Sequence, residues 1–146
     1  MRNFSLRRAR EEDLEAVLAL LSAGKLPVEG VREAFGNFVI AEGREVAVGA
    51  VGMETYGNRA LLRSAIVDPG WRGYGVGRAL VAELLSRART KSIEAVYLLT
   101  TTAENYFPAF GFQRIDRADI PAELGESPEL RGACPDNAIA MKLGLR

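Results

Sequence analysis

"DPGWRGYGVGRAL", Asp68–Leu80, places four glycines, two arginines and a proline between the β-branched run "AIV" (Ala65–Val67) and a long helical pattern. Proline after Asp68 ends the strand, because it has no backbone N–H to offer a sheet. The glycines let the backbone turn sharply with no side chains in the way, so amides near positions 73–78 can converge on one ligand at the start of the next helix. Unpaired amides and the positive end of the helix dipole make an anion site, to which Arg72 and Arg78 can add charge-assisted hydrogen bonds suited to a pyrophosphate. The competing reading is a flexible strand-to-helix turn with solvated arginines. Two nucleotide-loop patterns fail here. The dinucleotide pattern G-x-G-x-x-G meets Arg78 when started at Gly73 and Leu80 when started at Gly75. A P-loop started at Gly70 has Gly75 in register, then Val76 and Gly77 where Lys and Ser/Thr are needed.

Upstream, residues 37–67 read as three consecutive strands, Phe38–Glu42, Glu45–Tyr56 and Ala60–Val67, joined by tight turns at Gly43-Arg44 and Gly57-Asn58. This predicts an antiparallel meander. Downstream, Leu80, Val81, Leu84, Leu85 and Ala88 trace the apolar face of a helix of about four turns. "AVYLLTTT" (Ala95–Thr102) is a continuous apolar run of the kind found in a strand covered on both faces. Strand, helix and strand in that order predict a right-handed crossover with parallel pairing.

The ends of the chain complete the order. Phe4–Ala9 alternates as a short strand, and Leu14, Val17, Leu18 and Leu21 share a helical face that stops at Gly24. Residues 25–36 include a helical turn around Val31–Phe35. "AENYFPAF" (Ala103–Phe110) is a short helical pattern interrupted by Pro108, "GFQRI" is a strand, Glu129–Gly132 is a helical turn and "AIAMKL" is the last strand. The predicted order is β-α-β-β-β-α-β-α-β-β: an α+β fold with one mixed, mostly antiparallel central sheet and helices on both faces.

With 146 residues, 48% hydrophobic and 26% charged, the chain is expected to form a single domain over 1–146, able to bury roughly 70% of its unfolded surface. Lys+Arg and Asp+Glu are equal at 19, which argues against nucleic acid as the main partner. The absence of histidine removes Ser-His-Asp hydrolases, Cys-His proteases and His-ligated metal sites, and no metal is expected. The single cysteine, Cys134, has no partner for an internal disulfide or a CxxC motif and reads as a small buried thiol. Charges spread through Met1–Leu21, with Glu15 inside the Leu14–Leu21 run, fit neither a signal peptide nor a membrane span, so a cytoplasmic location is expected.

Arg72-Gly73-Tyr74-Gly75-Val76-Gly77 resembles the Arg/Gln-x-x-Gly-x-Gly/Ala signature of the GCN5-related N-acetyltransferases, the GNAT superfamily, and stands after the fourth strand at the opening of the long helix, as it does in that family. The resemblance extends to the order of elements along essentially the whole chain. "LLRSAIVDPGWRG", "VYLLTTTAENYF", "FGF" and "ELRGACPDNAIAM" are similar to acetyltransferases linked to arsenic resistance, relatives of amino-acid and glutamate N-acetyltransferases.

The resemblance implies direct transfer of an acetyl group from acetyl-CoA, as cosubstrate, to the amine of a small molecule, with an amino acid or an anionic amino-acid analogue as candidate acceptor. It implies that amides of residues 73–78 hold the CoA pyrophosphate, that a bulge at Ile66 and Val67 pairs with the pantetheine arm, and that the Val67 amide stabilises the developing oxyanion. A non-catalytic acetyl-CoA-binding sensor or partner module is the alternative. Homodimers are common in the family and remain a candidate assembly here.

Without histidine, deprotonation of the amine falls to a carboxylate through water, or to water alone. Glu54 is the first candidate base; it reads equally as a solvated carboxylate on an exposed strand face. The family's usual acid is a tyrosine four residues before the Gly-Phe pair, and Gly111-Phe112 puts Phe107 there. Tyr106 is adjacent, but one residue on a helix is a rotation of about 100°, so Tyr106 is a weak substitute unless Pro108 repositions it, and Phe107 reads as an apolar wall of the thioester site. For the acceptor, Arg63 either grips a substrate anion or is paired internally, and Asn37 and Thr100–Thr102 are weaker candidates that turns or strand ends explain as well.

Overall fold

A computed structural model describes residues 3–133 and 137–145, so Cys134 lies outside the described residues. Seven strands, β1 (Ser5–Arg8), β2 (Phe38–Gly43), β3 (Val46–Tyr56), β4 (Arg59–Val67), β5 (Ala95–Thr100), β6 (Gln113–Ile115) and β7 (Ile139–Gly144), form one sheet in the order β1-β2-β3-β4-β5-β7-β6. β1 to β4 are the antiparallel meander, β4 and β5 run parallel, and β7 enters antiparallel between β5 and β6. The helices are α1 (Leu14–Ala23), α2 (Val31–Ala34) and α3 (Val76–Thr90).

The predicted apolar face of α3 is the observed one. Leu80, Val81, Leu84 and Leu85 pack with Val51, Met53, Leu62 and Leu98 in the larger core cluster. Val17 and Leu21 of α1, with Val31 and Phe35, form a second cluster with Phe38, Ile40 and Ala50. Successive residues of β2, Val39 and Ile40, thus fall in different clusters, as the period of two requires when both faces of a sheet are covered. The joint between β1 and α1 is fixed by Arg7, whose Nη1 and Nη2 donate to the two Asp13 oxygens at 2.7 and 2.8 Å while Nε donates to Glu42 at 2.7 Å.

Three local expectations change. The first hairpin turn lies at Arg44-Glu45, both at positive φ (53° and 68°), one residue beyond the predicted Gly43-Arg44. Gly43 stays in the strand because the Trp71 indole occupies the space a side chain would need; a Cβ there would lie 2.4 Å from the ring. The segment after β5 is a turn followed by the 3₁₀ helix Phe107–Phe110, and Glu129–Ala133 is a single wide, kinked π turn.

The geometry that makes the site lies between β4 and β5. Their pairing ends at Leu61↔Tyr97, although β4 continues to Val67 and β5 to Thr100. On its other edge β4 shifts register against β3, with Ala50 opposite Ile66 but Gly52 opposite Arg63. The extra residue on β4 is a bulge at Ser64–Ala65, with Ser64 at φ 61°. The bulge bends β4, and past Leu61 the two strands no longer pair.

Candidate active site

A cleft of about 940 Å³ runs from the unpaired stretch between β4 and β5 to the N-terminus of α3. At the α3 end, Asp68 accepts a hydrogen bond from the Gly70 amide at 2.8 Å and caps the 3₁₀ turn Pro69–Trp71, which starts the reversal. Gly73 and Gly75 then take φ values of 85° and 82°, conformations an L side chain adopts only with strain, and Gly75 is the N-cap of α3. The first amides of α3 have no acceptors within the helix. Gly73, Gly75, Val76, Gly77 and the side chains of Arg72 and Arg78 all line the cleft. Tyr74, the remaining predicted member of the segment, does not line it; between two positive-φ glycines its side chain is carried to the outer side of the loop, half exposed.

Ile66 and Val67 line the cleft directly after the bulge rather than forming it. An extended, amide-rich molecule can pair with a strand edge freed in this way. Across the wedge stand Leu98, Thr100 and Phe107. Thr100 Oγ1 accepts the Ala103 amide at 2.9 Å and shapes the loop leaving β5.

The helical-rotation argument against Tyr106 does not apply, because residues 104–106 form a turn and Tyr106 is the N-cap of the 3₁₀ helix. Tyr106 and Phe107 both line the cleft. Phe107 is buried, its ring 5.7 Å from that of Phe112, and forms a wall. The Tyr106 ring packs edge-on to Phe107 and Phe110 at 5.3 and 5.4 Å. Burial raises the Tyr106 pKa above the ordinary tyrosine range, with Arg78 acting in the opposite direction. Its hydroxyl therefore keeps its proton at neutral pH.

At the other end of the cleft is a buried ionic cluster. The Arg63 side chain is fully buried. Its Nη1 donates to Glu54 Oε2 at 2.6 Å, Nε to Ser64 Oγ at 3.0 Å and Nη2 to the Pro27 carbonyl at 3.3 Å, while Glu129 Oε2 stands 3.7 Å from Nη2. Arg63 is thus internally paired, although it lines the cleft. Glu54 is buried, not solvated, and the Tyr56 hydroxyl donates to its other oxygen at 2.5 Å. Burial, followed by that hydrogen bond, pushes the Tyr56 pKa up to about 12. Glu54 does not line the cleft; both of its oxygens are engaged on the arginine side of the cluster.

Asn37 lies elsewhere. It belongs to the 3₁₀ turn Phe35–Asn37 and lines a separate cavity of about 200 Å³ with Arg8, Arg87 and Lys91. Residues the motif reading did not reach are Glu129, Ser64 and the loop residues Lys25 and Pro27, which line the cleft through the bulge, the α1–α2 connection and the segment before β7. No helix among the described residues is long and apolar enough to cross a membrane. The same residues contain no cluster of three or more His, Cys, Asp or Glu able to hold a metal.

Glycine-rich amides at a helix start, a strand bulge and a wedge between two parallel strands thus border one cleft. The chain belongs to the GNAT acetyltransferase family, whose domain matches residues 34–114. An amino-acid acetyltransferase from Mycobacterium tuberculosis is 33% identical over 130 residues, covering 82% of this chain and 74% of that protein. The uncharacterized protein YwlB of Bacillus subtilis is 32% identical over 145 residues, covering 95% and 96%. Among solved structures, an M. tuberculosis protein in complex with CoA superposes with a TM-score of 0.81 at 26% identity over 97% of this chain and 99% of that one. The N-acetylglutamate synthase of Neisseria gonorrhoeae, complexed with coenzyme A and N-acetyl-glutamate, has the same fold, with a TM-score of 0.84 at 21% identity. This chain spans 35% of that enzyme's length. The protein is an N-acetyltransferase that uses acetyl-CoA.

Proposed function

We propose that residues 1–146 act as one N-acetyltransferase domain that acetylates the amine of a small molecule, an amino acid being the favoured class. The observation that carries this is the single cleft joining the amide-lined start of α3 to the buried Arg63 cluster, a cosubstrate end and a polar acceptor end meeting at the β4 bulge. The Mycobacterium tuberculosis relative named as an amino-acid acetyltransferase supports the acceptor class.

Acetyl-CoA supplies the acetyl thioester. In this reading the amides of residues 73–78, with Arg72 and Arg78, bind its pyrophosphate. The freed backbone edge at Ile66 and Val67 aligns the extended arm, and the Val67 amide faces the carbonyl oxygen. Phe107 excludes water from the thioester, and Tyr106 donates a proton to the departing sulfur. Arg63 and Thr100 shape the acceptor end. Glu54 serves to fix Arg63, and a water molecule removes the proton of the amine. The reading includes a cytoplasmic location and a homodimer, the latter to be tested by light scattering.

A thiol-release assay with acetyl-CoA and a panel of amino acids and aminophosphinates tests the function. Release dependent on an amino acid is expected. Phe107 at the family's tyrosine position favours one other reading, a module that binds acetyl-CoA without turnover; tight acetyl-CoA binding with no release for any amine would establish it.

A further inference from the structure

We propose that Lys25 and Ser64 recognise the acceptor of the transfer by its α-carboxylate, the ammonium of one and the hydroxyl of the other acting together on that group; this rests on the acetyltransferase reading of the cleft. Both residues line the cleft, and both hold a left-handed backbone, at φ 58° and 61°, which disfavours any side chain. At the end of α1 the Leu26 amide donates to the Leu21 carbonyl at 2.9 Å and the Lys25 amide to the Ser22 carbonyl at 3.1 Å. That closure puts its left-handed residue at position 25, where glycine is the usual occupant. Gly24 stands one position earlier, where Ile66 Cδ1 comes within 2.7 Å of the place a Cβ would take. The strained position therefore carries a long cationic side chain, and strain kept inside a site points to a role for the group that keeps it.

The α1–α2 connection meets β4 at two points. Gly24 packs on Ile66, and the Pro27 carbonyl accepts from Arg63 Nη2 at 3.3 Å. Lys25 lies between these points on the connection, and Ser64 lies between them on β4, within the bulge. Ser64 Oγ accepts from Arg63 Nε at 3.0 Å. A guanidinium has no acceptor, so the hydroxyl proton is turned away from Arg63, and the adjacent positive charge polarises it as a donor. Arg63 itself is engaged by Glu54, Ser64 and Pro27 and ion-paired with Glu129, so it acts on an anion only through Ser64. Of the other cations lining the cleft, Arg72 and Arg78 belong to the α3 end, which leaves Lys25 for the acceptor end. The Lys25 ammonium has no hydrogen-bond or ion-pair partner among the described residues. A polarised hydroxyl and an ammonium suit a carboxylate. In an amino acid the α-carboxylate is the anion held next to the reacting amine, and the bulge that carries Ser64 is where the two ends of the cleft meet.

The test is calorimetric binding at pH 7 to the CoA-loaded full chain, using L-glutamate, L-glutamine and L-leucine, each paired with its α-carboxamide. Wild-type protein is expected to bind at least one acid about tenfold or more tightly than its amide, as a charge-assisted hydrogen bond implies. Lys25→Gly and Ser64→Gly both relieve the left-handed strain, and each should lower that preference at least about threefold with CoA affinity within about twofold. Lys25→Gly should also raise the urea midpoint, which separates loss of the contact from loss of the fold, and Lys25→Arg should keep the preference within about twofold. Equal binding of acid and amide by wild type in all three pairs, an undiminished preference in either glycine variant, or a loss of CoA affinity in Lys25→Gly overturns the assignment. A preference that depends on Lys25 and Ser64 without acetyl transfer in a thiol-release assay would support it while defeating the catalytic reading. Acetyl transfer to acid and amide alike would do the reverse.

Discussion

The Tyr106 hydroxyl lies 3.2 Å from the point a Cβ on Gly77 would occupy, so the ring reaches the first turn of α3 beside the amides assigned to the cosubstrate. A methyl group at position 77 is accommodated by a small shift of this half-exposed side chain, whereas Gly77→Val should displace it. Tyr106→Phe and Gly77→Val are each expected to lower kcat by on the order of 100-fold, the usual value of a positioned proton donor. Tyr106→Phe should leave acetyl-CoA affinity within about twofold by titration calorimetry. Because burial raises the Tyr106 pKa, the active protonated form persists through neutral pH, and the wild-type alkaline fall in kcat should be missing from Tyr106→Phe. An unchanged kcat in Tyr106→Phe would assign protonation of the thiolate to solvent.

Gly75 separates backbone strain from ligand exclusion. A Cβ there meets nothing within 4 Å, yet φ is 82°. Gly75→Ala should therefore cost about 1 kcal/mol of stability in urea denaturation and leave measurable acetyl-CoA binding. Gly75→Glu adds bulk and negative charge facing the pyrophosphate site and should abolish binding in a protein that still folds by circular dichroism. Retained affinity would remove residues 73–78 from the cosubstrate site.

Arg63→Met should be the most destabilising surface-preserving change in the cleft, by about 3–5 kcal/mol, because it strands the buried Glu54 without its cation. Glu54→Gln combined with Arg63→Met should cost less than the sum of the single changes. Chemical denaturation of the four proteins measures this coupling, and strict additivity would contradict the ion pair.

Tyr56 gives the cluster an alkaline signature. Its folded pKa of about 12 exceeds the ordinary value of 10.0, so its contribution to stability is fully present below pH 10 and is lost as pH rises toward 12. Urea denaturation at pH 8, 10 and 11.5 should show a steeper decline for wild type than for Tyr56→Phe. Identical slopes would place the Tyr56 hydroxyl outside the Glu54 hydrogen bond.

Much of the fold was legible because its signals are local. Alternation along Phe38–Val67, the turn residues Gly57-Asn58 and the apolar stripe from Leu80 to Ala88 depend on neighbours within one strand or one helical turn. The one-residue error at Gly43 has a distant cause, the indole of Trp71. Asn37 was misplaced because a polar residue before a strand carries no information about which face of the sheet its turn will occupy.

By itself, the sequence determined the alternation of strands and helices, the glycine-rich entry to α3, the histidine-free chemistry and the family. Tertiary structure decided what the charged residues do. Glu54 became a buried support because β4 brings Arg63 beside it; Glu129 entered the cleft because Pro128 docks on Gly30; Tyr106 faced the site because a turn replaced the expected helix. Each outcome depends on segments far apart in the chain meeting in a dry interior, where a charge must find its partner whatever its sequence separation. No periodicity within a single element encodes such a meeting.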